Sequence, residues 1–295
     1  MTTSLKGLGI ALATPFKKDF SIDFDSLGPL VDFLIANGVD YLVVLGTTGE
    51  AVTLTDEGRH AVASFVAERV AGRIPLVLGM SGNSTYHLVE NISRTDFTGY
   101  DAILSVVPYY NKPSQEGMHL HFTAVAQAAP VPVVLYNVPG RTGANMEAAT
   151  TLQLANEMPD KIIAIKEASG RMGQIREILE KKPDTFSVIS GDDAITLPLM
   201  AMGASGVISV IGNALPAEFS RVVHLCAEGR FEEAARLDRR LQPFYRMLFA
   251  EGNPSGIKAL LNIAGLAENV LRLPLTTVSS SLYGRLAAAY RTLKG

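Results

Sequence analysis

Residues 162–170 read IIAIKEASG, and this stretch carries the pattern on which the fold prediction depends. Four apolar residues precede Lys166, and no polar residue alternates with them. A continuous apolar run of this kind is typical of a parallel β-strand that is buried on both faces. The stretch therefore predicts a buried strand that ends on a lysine.

Seven more apolar runs of the same kind recur at fairly even spacing. They begin at Leu8, Tyr41, Pro75, Ala102, Val131, Phe186 and Gly206. Amphipathic segments long enough for a helix lie between most of them, such as residues 26–38, 56–72 and 146–160. Eight strand–helix units in roughly 225 residues predict an α/β protein with a (β/α)8 TIM barrel. A doubly wound open sheet is the alternative, but no GxGxxG motif follows the first strand.

The pattern changes near residue 230. From there on, residues 231–251, 254–266 and 279–293 have helical spacing and no further strand-like run intervenes. We therefore predict a catalytic barrel over residues 1–229 and a C-terminal domain of about three helices over residues 230–295.

Composition narrows the class of protein. The chain has 295 residues, of which 47% are apolar and 19% charged, so it can build a large core. Its net charge of −3, without a polybasic run, favours neither a nucleic-acid nor a membrane partner. The N-terminal sequence has no secretory signal pattern, and the lone cysteine, Cys226, fits a reducing compartment and a small core residue. We expect a cytoplasmic protein.

Active sites of such barrels lie at the carboxyl ends of the strands. After strand two comes GTTGE, residues 46–50, where two glycines flank the hydroxyls of Thr47 and Thr48. Backbone N–H groups in such a turn can approach an anion. Thr55 is the predicted N-cap of the next helix. An ordinary strand–helix turn is the alternative at this point.

Three further strands end in side chains that could bind a substrate or react with it. Strand four runs into PYYNKP, where the adjacent Tyr109 and Tyr110 have either a packing or a functional role. Strand five brings Tyr136 to the barrel mouth, and Arg141 follows in a glycine-bounded loop with a guanidinium suited to a carboxylate. Strand six brings Lys166.

Lys166 has two interpretations. It could extend its charge into solvent or pair with Glu167, or it could be a partly desolvated amine that acts as a nucleophile. Neighbouring strand residues alternate faces, so we expect Glu167 to point away from the mouth. Lysine, tyrosines, threonines and an arginine, without a cluster of His, Cys and carboxylates, suit carbonyl chemistry better than a metal site. Together they favour the nucleophile.

GTTGE, PYYNKP, YNVPGRTG and IKEASG, in this order and spacing, resemble the dihydrodipicolinate synthase / N-acetylneuraminate lyase family over essentially the whole chain. Arg141 in YNVPGRT, together with GTTGE, resembles the synthase branch. The sialic acid lyases usually carry a Gly-Ser-Ser-Gly type turn and lack this arginine.

The resemblance implies a mechanism. Lys166 would form an imine with pyruvate, and the derived enamine would attack L-aspartate 4-semialdehyde in the diaminopimelate route to lysine. Tyr136, Thr48 and Tyr110 would relay protons. The covalent imine would take the place of a cofactor.

The resemblance also implies binding roles and an assembly. Thr47 and Thr48 would bind the pyruvate carboxylate, and Arg141 the carboxylate of the semialdehyde. Gly191 and Ile208 match positions whose backbone lines the pyruvate pocket. Tyr110 would come from a neighbouring subunit, usually in a homotetramer built from two tight dimers.

One departure from the family concerns feedback by lysine. Asn83 and Tyr109 match the residues that hold lysine in inhibited members. Five other positions do not match: Ala51, Val52, Asp56, Arg59 and His87. We therefore expect weak or absent inhibition by lysine.

Two alternative functions stay open from the sequence. The first keeps the imine but takes another aldehyde, as in an N-acetylneuraminate lyase or a 2-keto-3-deoxy sugar acid aldolase; Arg141 argues against it. The second is a non-catalytic sensor of a keto acid, which would have no need of a proton relay.

Several polar residues are given no functional role. His119 and His121 lie two apart on a predicted helix and face different ways, so they make a poor metal pair. Lys258 is interpreted as structural. Asp192 and Asp193 are expected to cap the next helix or bind water.

Overall fold

The computed structural model describes residues 5–295 and contains a closed eight-stranded barrel. Each strand pairs in parallel with the next, and the eighth pairs with the first. The strands are β1 Gly7–Ala11, β2 Tyr41–Val44, β3 Leu76–Gly79, β4 Ala102–Val106, β5 Val133–Asn137, β6 Ile162–Glu167, β7 Ser187–Ser190 and β8 Gly206–Ser209. Each predicted apolar run forms one of them, which confirms the (β/α)8 barrel.

Helices connect the strands and surround the barrel. They are α1 Phe24–Ala36, α2 Asp56–Val70, α3 Thr85–Arg94, α4 Gln115–Ala128, α5 Pro139–Thr142, α6 Ala148–Glu157, α7 Met172–Lys181, α8 Thr196–Ala201 and α9 Pro216–Ala227. Short polar side chains begin several of them by accepting an N–H of the first turn. Thr55 does so for α2, where its hydroxyl accepts from the Gly58 N–H at 3.1 Å, as predicted.

Three helices follow the barrel: α10 Phe231–Met247, α11 Ser255–Ile263 and α12 Ser280–Lys294. Their positions agree with the three helical segments predicted from the sequence. Helix α10 packs on α9, and α12 packs on both α10 and α11. The division into domains at residue 229 stays a prediction.

The apolar core has two layers. One lies between the strands and the surrounding helices, and the other fills the inside of the barrel with side chains such as Val43, Val134 and Ile189. Close packing inside the barrel fixes the backbone at its mouth. The strand ends therefore form a rigid frame for the polar side chains that follow them.

None of the helices in residues 5–295 has both the length and the hydropathy needed to cross a bilayer. The cytoplasmic location stays a prediction.

Candidate active site

Lys166 is the central residue of the site. It lies near the carboxyl end of β6, directly beside Tyr136 of β5 in the sheet register, and only 6% of it is exposed. Its Nζ lies 4.3 Å from the centroid of the Tyr136 ring. Across residues 5–295, no carboxylate forms an ion pair with this ammonium. The side chain is thus buried, next to a phenol, and without a fixed counter-charge.

Glu167 points to the opposite face of β6. Its Oε1 accepts hydrogen bonds from the Asn137 amide at 2.9 Å and the Gln174 amide at 3.0 Å, and its Oε2 accepts from the Ser169 hydroxyl at 2.6 Å. This confirms the expected orientation and removes the alternative in which Glu167 neutralises Lys166. The network instead fixes the end of β6 against α7.

The pocket around Lys166 needs a glycine at position 191. A Cβ at Gly191 would lie 3.1 Å from Lys166 Cε and 2.7 Å from the Cβ of Ala168, closer than side chains tolerate. Ile208 lies in the inner layer of the barrel with Tyr136. Gly191 therefore lies next to Lys166, and Ile208 lies inside the barrel.

Asp193 anchors the segment that follows β8. Its Oδ2 accepts from the N–H groups of Val210 and Ile211 at 3.1 and 2.8 Å, and burial raises its pKa to about 6. Asp192 caps the next turn by accepting from the Ala194 N–H at 2.9 Å, as expected. The prediction that Asp193 caps the next helix is therefore wrong. Its carboxylate binds the backbone that follows β8.

The GTTGE segment forms a short 3-10 turn, Thr47–Gly49, and a second one, Ala51–Thr53, follows directly. Thr47 is exposed, whereas Thr48 is buried. The carbonyl of Gly49 accepts from the Thr14 hydroxyl at 2.8 Å, which ties the turn to the segment after β1. The turn is therefore held in place with Thr47 exposed and Thr48 buried.

Arg141 lies in the one-turn helix α5, so the prediction that it lies in a loop is wrong. The turn ends at Gly143, which has a left-handed conformation with φ of +71°. The exposed guanidinium donates from Nη2 to the main-chain carbonyl of Asn253 at 3.2 Å. In the described residues the guanidinium makes no other hydrogen bond, so its remaining N–H groups can bind a carboxylate.

Asn253 is the site residue that sequence reasoning missed. Its Nδ2 donates to Thr48 Oγ1 at 3.1 Å, and its carbonyl accepts from Arg141. The sequence shows only a Gly-Asn-Pro turn at this place, and the contact with Thr48 spans 205 positions. No local pattern could have indicated it.

Tyr110 does not join the other site residues within one chain. It is 88% exposed, its φ is +73°, and in the described part of the chain its hydroxyl has no hydrogen-bond partner. A left-handed conformation is costly for a non-glycine residue, and such strain is concentrated at functional sites. The predicted relay of Tyr136, Thr48 and Tyr110 stays a prediction.

The remaining histidines take separate partners. His119 Nε2 lies 2.6 Å from Glu157, and His121 Nδ1 lies 2.8 Å from Thr85. They face α6 and α3 respectively, as their spacing predicts. Over the described residues, no group of three His, Cys, Asp or Glu side chains could hold a metal ion. Cys226 is buried, in agreement with a core role.

The closed barrel, with its polar side chains gathered at the carboxyl ends of the strands, has the architecture of the (β/α)8-barrel enzymes. Residues 4–292 match the model of the dihydrodipicolinate synthetase family, and the chain belongs to this family.

Relatives and solved structures agree over almost the whole chain. A 4-hydroxy-tetrahydrodipicolinate synthase of Parabacteroides distasonis is 54% identical over 98% of this chain and 97% of that protein. The crystal structure of dihydrodipicolinate synthase from Aquifex aeolicus has a TM-score of 0.94 at 40% identity, covering 98% of both chains. A monomeric dihydrodipicolinate synthase variant has a TM-score of 0.95 at 36% identity, covering 98% of this chain and 97% of that one.

Proposed function

We propose that the protein condenses pyruvate with L-aspartate 4-semialdehyde, the 4-hydroxy-tetrahydrodipicolinate synthase reaction, through an imine on Lys166. The observation that carries this proposal is the Lys166 side chain, buried at the barrel mouth without a counter-charge in residues 5–295. An amine in such a place is protected from water and free to attack a carbonyl. The site residues of the family's motifs are all present.

The chemistry follows from the groups at hand. The neutral Lys166 amine adds to the ketone carbon of pyruvate, and the carbinolamine oxygen leaves as water to give an imine. The imine nitrogen withdraws electrons, so a proton leaves the methyl group and an enamine forms. The enamine carbon then bonds to the aldehyde carbon of the second substrate, and the aldehyde oxygen takes up a proton. The amino group of the semialdehyde attacks the imine carbon that this step restores, which closes the ring and releases the Lys166 amine. No bound cofactor takes part, because the imine itself is the electron sink.

Tyr136 would carry protons to and from the reacting groups, and its ring centroid lies 4.3 Å from Lys166 Nζ. Thr47 and Thr48 would bind the pyruvate carboxylate through the backbone N–H groups and hydroxyls of their turn. The backbone of Gly191 would line the pyruvate pocket, and the absence of a Cβ there lets it lie close to Lys166. Ile208 would complete the pocket from β8.

The second substrate is proposed from Arg141. Its exposed guanidinium at the rim suits the carboxylate of the semialdehyde better than the hydroxyls of a sugar aldehyde. A steady-state comparison tests this choice: aspartate semialdehyde and N-acetylmannosamine are each supplied with pyruvate. Faster turnover with the sugar derivative would move the protein to the lyase branch. Turnover with neither aldehyde would favour a keto-acid sensor.

We also propose that Tyr110 acts in a neighbouring subunit of a homotetramer. Support comes from its exposure and its strained backbone, which present the phenol away from its own barrel. Light scattering combined with the Tyr110→Phe variant tests this. A monomer with full activity, unchanged by the substitution, would contradict the proposal.

Weak feedback by lysine is the last part of the proposal. Arg59 occupies one of the positions that depart from the pattern of inhibited members, and it donates to the Ala51 carbonyl at 3.3 Å. Arg59 also pairs with Asp56, so this carboxylate already has a positive partner, and a lysine ligand would find no glutamate for its ammonium here. Inhibition at submillimolar lysine in the steady-state assay would contradict this.

A further inference from the structure

Asn253 connects the C-terminal helices to the barrel mouth. It lies just before α11, yet its side chain contacts Thr48 and its main chain contacts Arg141. It thus touches one residue of the proposed proton relay and the proposed carboxylate clamp. No other residue described in the chain bonds to both.

The direction of the bond to Thr48 matters. A threonine hydroxyl has one hydrogen and two lone pairs. Because the Asn253 amide donates to Thr48 Oγ1, it fills a lone pair and leaves the hydroxyl hydrogen free for another acceptor. An N–H directed at this oxygen also stabilises the negative charge that develops when the hydroxyl gives its proton away.

Apart from this bond, the Asn253 side chain lacks hydrogen-bond partners in the described residues. Within residues 5–295, its Oδ1 is buried and has no hydrogen-bond partner. A buried carbonyl left without a donor lowers stability. The amide therefore contributes little to the fold, so its presence calls for a role in the site.

The surrounding segment is held by other contacts. The Ser255 hydroxyl donates to the Thr276 carbonyl at 2.7 Å, and Lys258 pairs with Glu50 next to the Thr48 turn. The Arg272 N–H donates to Glu50 Oε2 at 3.1 Å. These contacts keep the tail against the turn whether or not the Asn253 amide is present.

We propose that Asn253 is a positioning residue for the reaction: its amide N–H orients the Thr48 hydroxyl so that Thr48 donates its proton onward to a tyrosine of the relay. This inference rests on the proposed function, and it adds a residue of the C-terminal helical segment to the catalytic arrangement.

Three variants test it. Asn253→Ala removes the donor, Asn253→Asp replaces it by an acceptor of the same size, and Ser255→Ala removes a buried hydrogen bond two residues away without touching Thr48. We expect both Asn253 variants to lower kcat roughly 10- to 100-fold, since the N–H that supports the charge developing on Thr48 Oγ1 is lost. Asn253→Asp should be no better than Asn253→Ala despite its matching shape. Ser255→Ala should keep its kcat.

Three more readouts separate orientation from structural support. The KM values for both substrates and the amount of pyruvate imine trapped by borohydride should change little. The melting temperature of Asn253→Ala should stay within the range of Ser255→Ala. In a Thr48→Val background, Asn253→Ala should cause no further loss, because its target hydroxyl is gone.

The outcomes are distinct. Full activity of Asn253→Asp, or an equal additional loss in the Thr48→Val background, would overturn the positioning role. An active wild type whose Asn253 variants behave like Ser255→Ala would overturn it as well. A wild type that does not condense the two substrates would instead overturn the proposed function.

Discussion

Lys166 and Lys258 are both buried, with 6% and 1% of their surface exposed, but their surroundings differ. Lys258 of α11 forms an ion pair with Glu50, donates to the Val270 carbonyl at 2.9 Å and lies 3.9 Å from the centroid of the Phe16 ring. Lys166 lies against the Tyr136 ring, and no carboxylate in the described residues pairs with it.

The difference indicates which of the two buried lysines suits the proposed role of nucleophile. The ammonium of Lys258 has a carboxylate and a carbonyl as partners and lies over an aromatic ring. Lys166 has the backbone of Gly191 on one side, where a Cβ would press on its Cε, and the ring of Tyr136 on another. Burial alone therefore does not identify a reactive amine. What distinguishes Lys166 from Lys258 in the described residues is the missing counter-charge.

The largest expected effect is on Lys166. Lys166→Arg keeps the positive charge and most of the volume but cannot form an imine. We expect kcat to fall roughly 10⁴-fold or more, as for the loss of other covalent nucleophiles. The condensation assay measures this, with the circular dichroism spectrum and melting temperature as controls for folding. Activity within a factor of ten of wild type would mean that the nucleophile is elsewhere.

The next effect concerns stability. Lys258→Met leaves Glu50 buried and charged without its partner, which costs about 3–5 kcal/mol. Denaturant unfolding should show this loss, and adding Glu50→Leu should recover most of it. The single variant should still form the imine with pyruvate. An unchanged free energy of unfolding would show that the ion pair between Lys258 and Glu50 does not stabilise the fold.

A smaller effect is expected at Gly191. The methyl group of Gly191→Ala would meet the Cβ of Ala168 and press on Lys166 Cε. We expect about a tenfold slower formation of the imine, because the amine is displaced from its productive position. Adding Ala168→Gly relieves the nearer contact and should restore part of the rate. Equal rates in all three proteins would show that the pocket does not depend on this glycine.

The smallest effect is on how the contribution of Lys258 to the unfolding free energy depends on pH. Burial lowers its pKa to about 8, although Glu50 acts in the opposite direction, and the nearby Arg272 adds to the decrease. Between about pH 8 and 10.5 the unfolded chain binds more protons at this site than the folded one, so this site's contribution to the unfolding free energy rises with pH.

The comparison with Lys258→Met isolates this contribution. The stability difference between wild type and variant should move in favour of the wild type by about 1 kcal/mol over the first pH unit above 8. Urea titrations at several pH values measure it. A difference that shrinks as pH rises would mean that Glu50 holds Lys258 charged in the fold.

Much of the fold was predictable because its signals are local. Each strand is a continuous apolar run, and the cap at Thr55 is set by residues three positions apart. The position of Lys166 followed for the same reason, since a strand end can be read from the run before it. The alternation of strand faces also gave the direction of Glu167.

The contacts of the C-terminal helices were not predictable from such signals. Asn253 meets Thr48, and Lys258 meets Glu50, only because α11 packs near the turn after β2. Contacts between residues so far apart in the chain leave no periodic pattern. The one-turn helix at Arg141 was missed because a single turn is too short to show a helical period.

The most direct measurement is to incubate the protein with pyruvate, reduce it with borohydride and map the modified residue by peptide mass spectrometry. We predict one reduced pyruvate adduct per chain, located on Lys166, with Lys258 unmodified. An adduct on another lysine, or none at all with active protein, would contradict the assignment of Lys166 as the nucleophile.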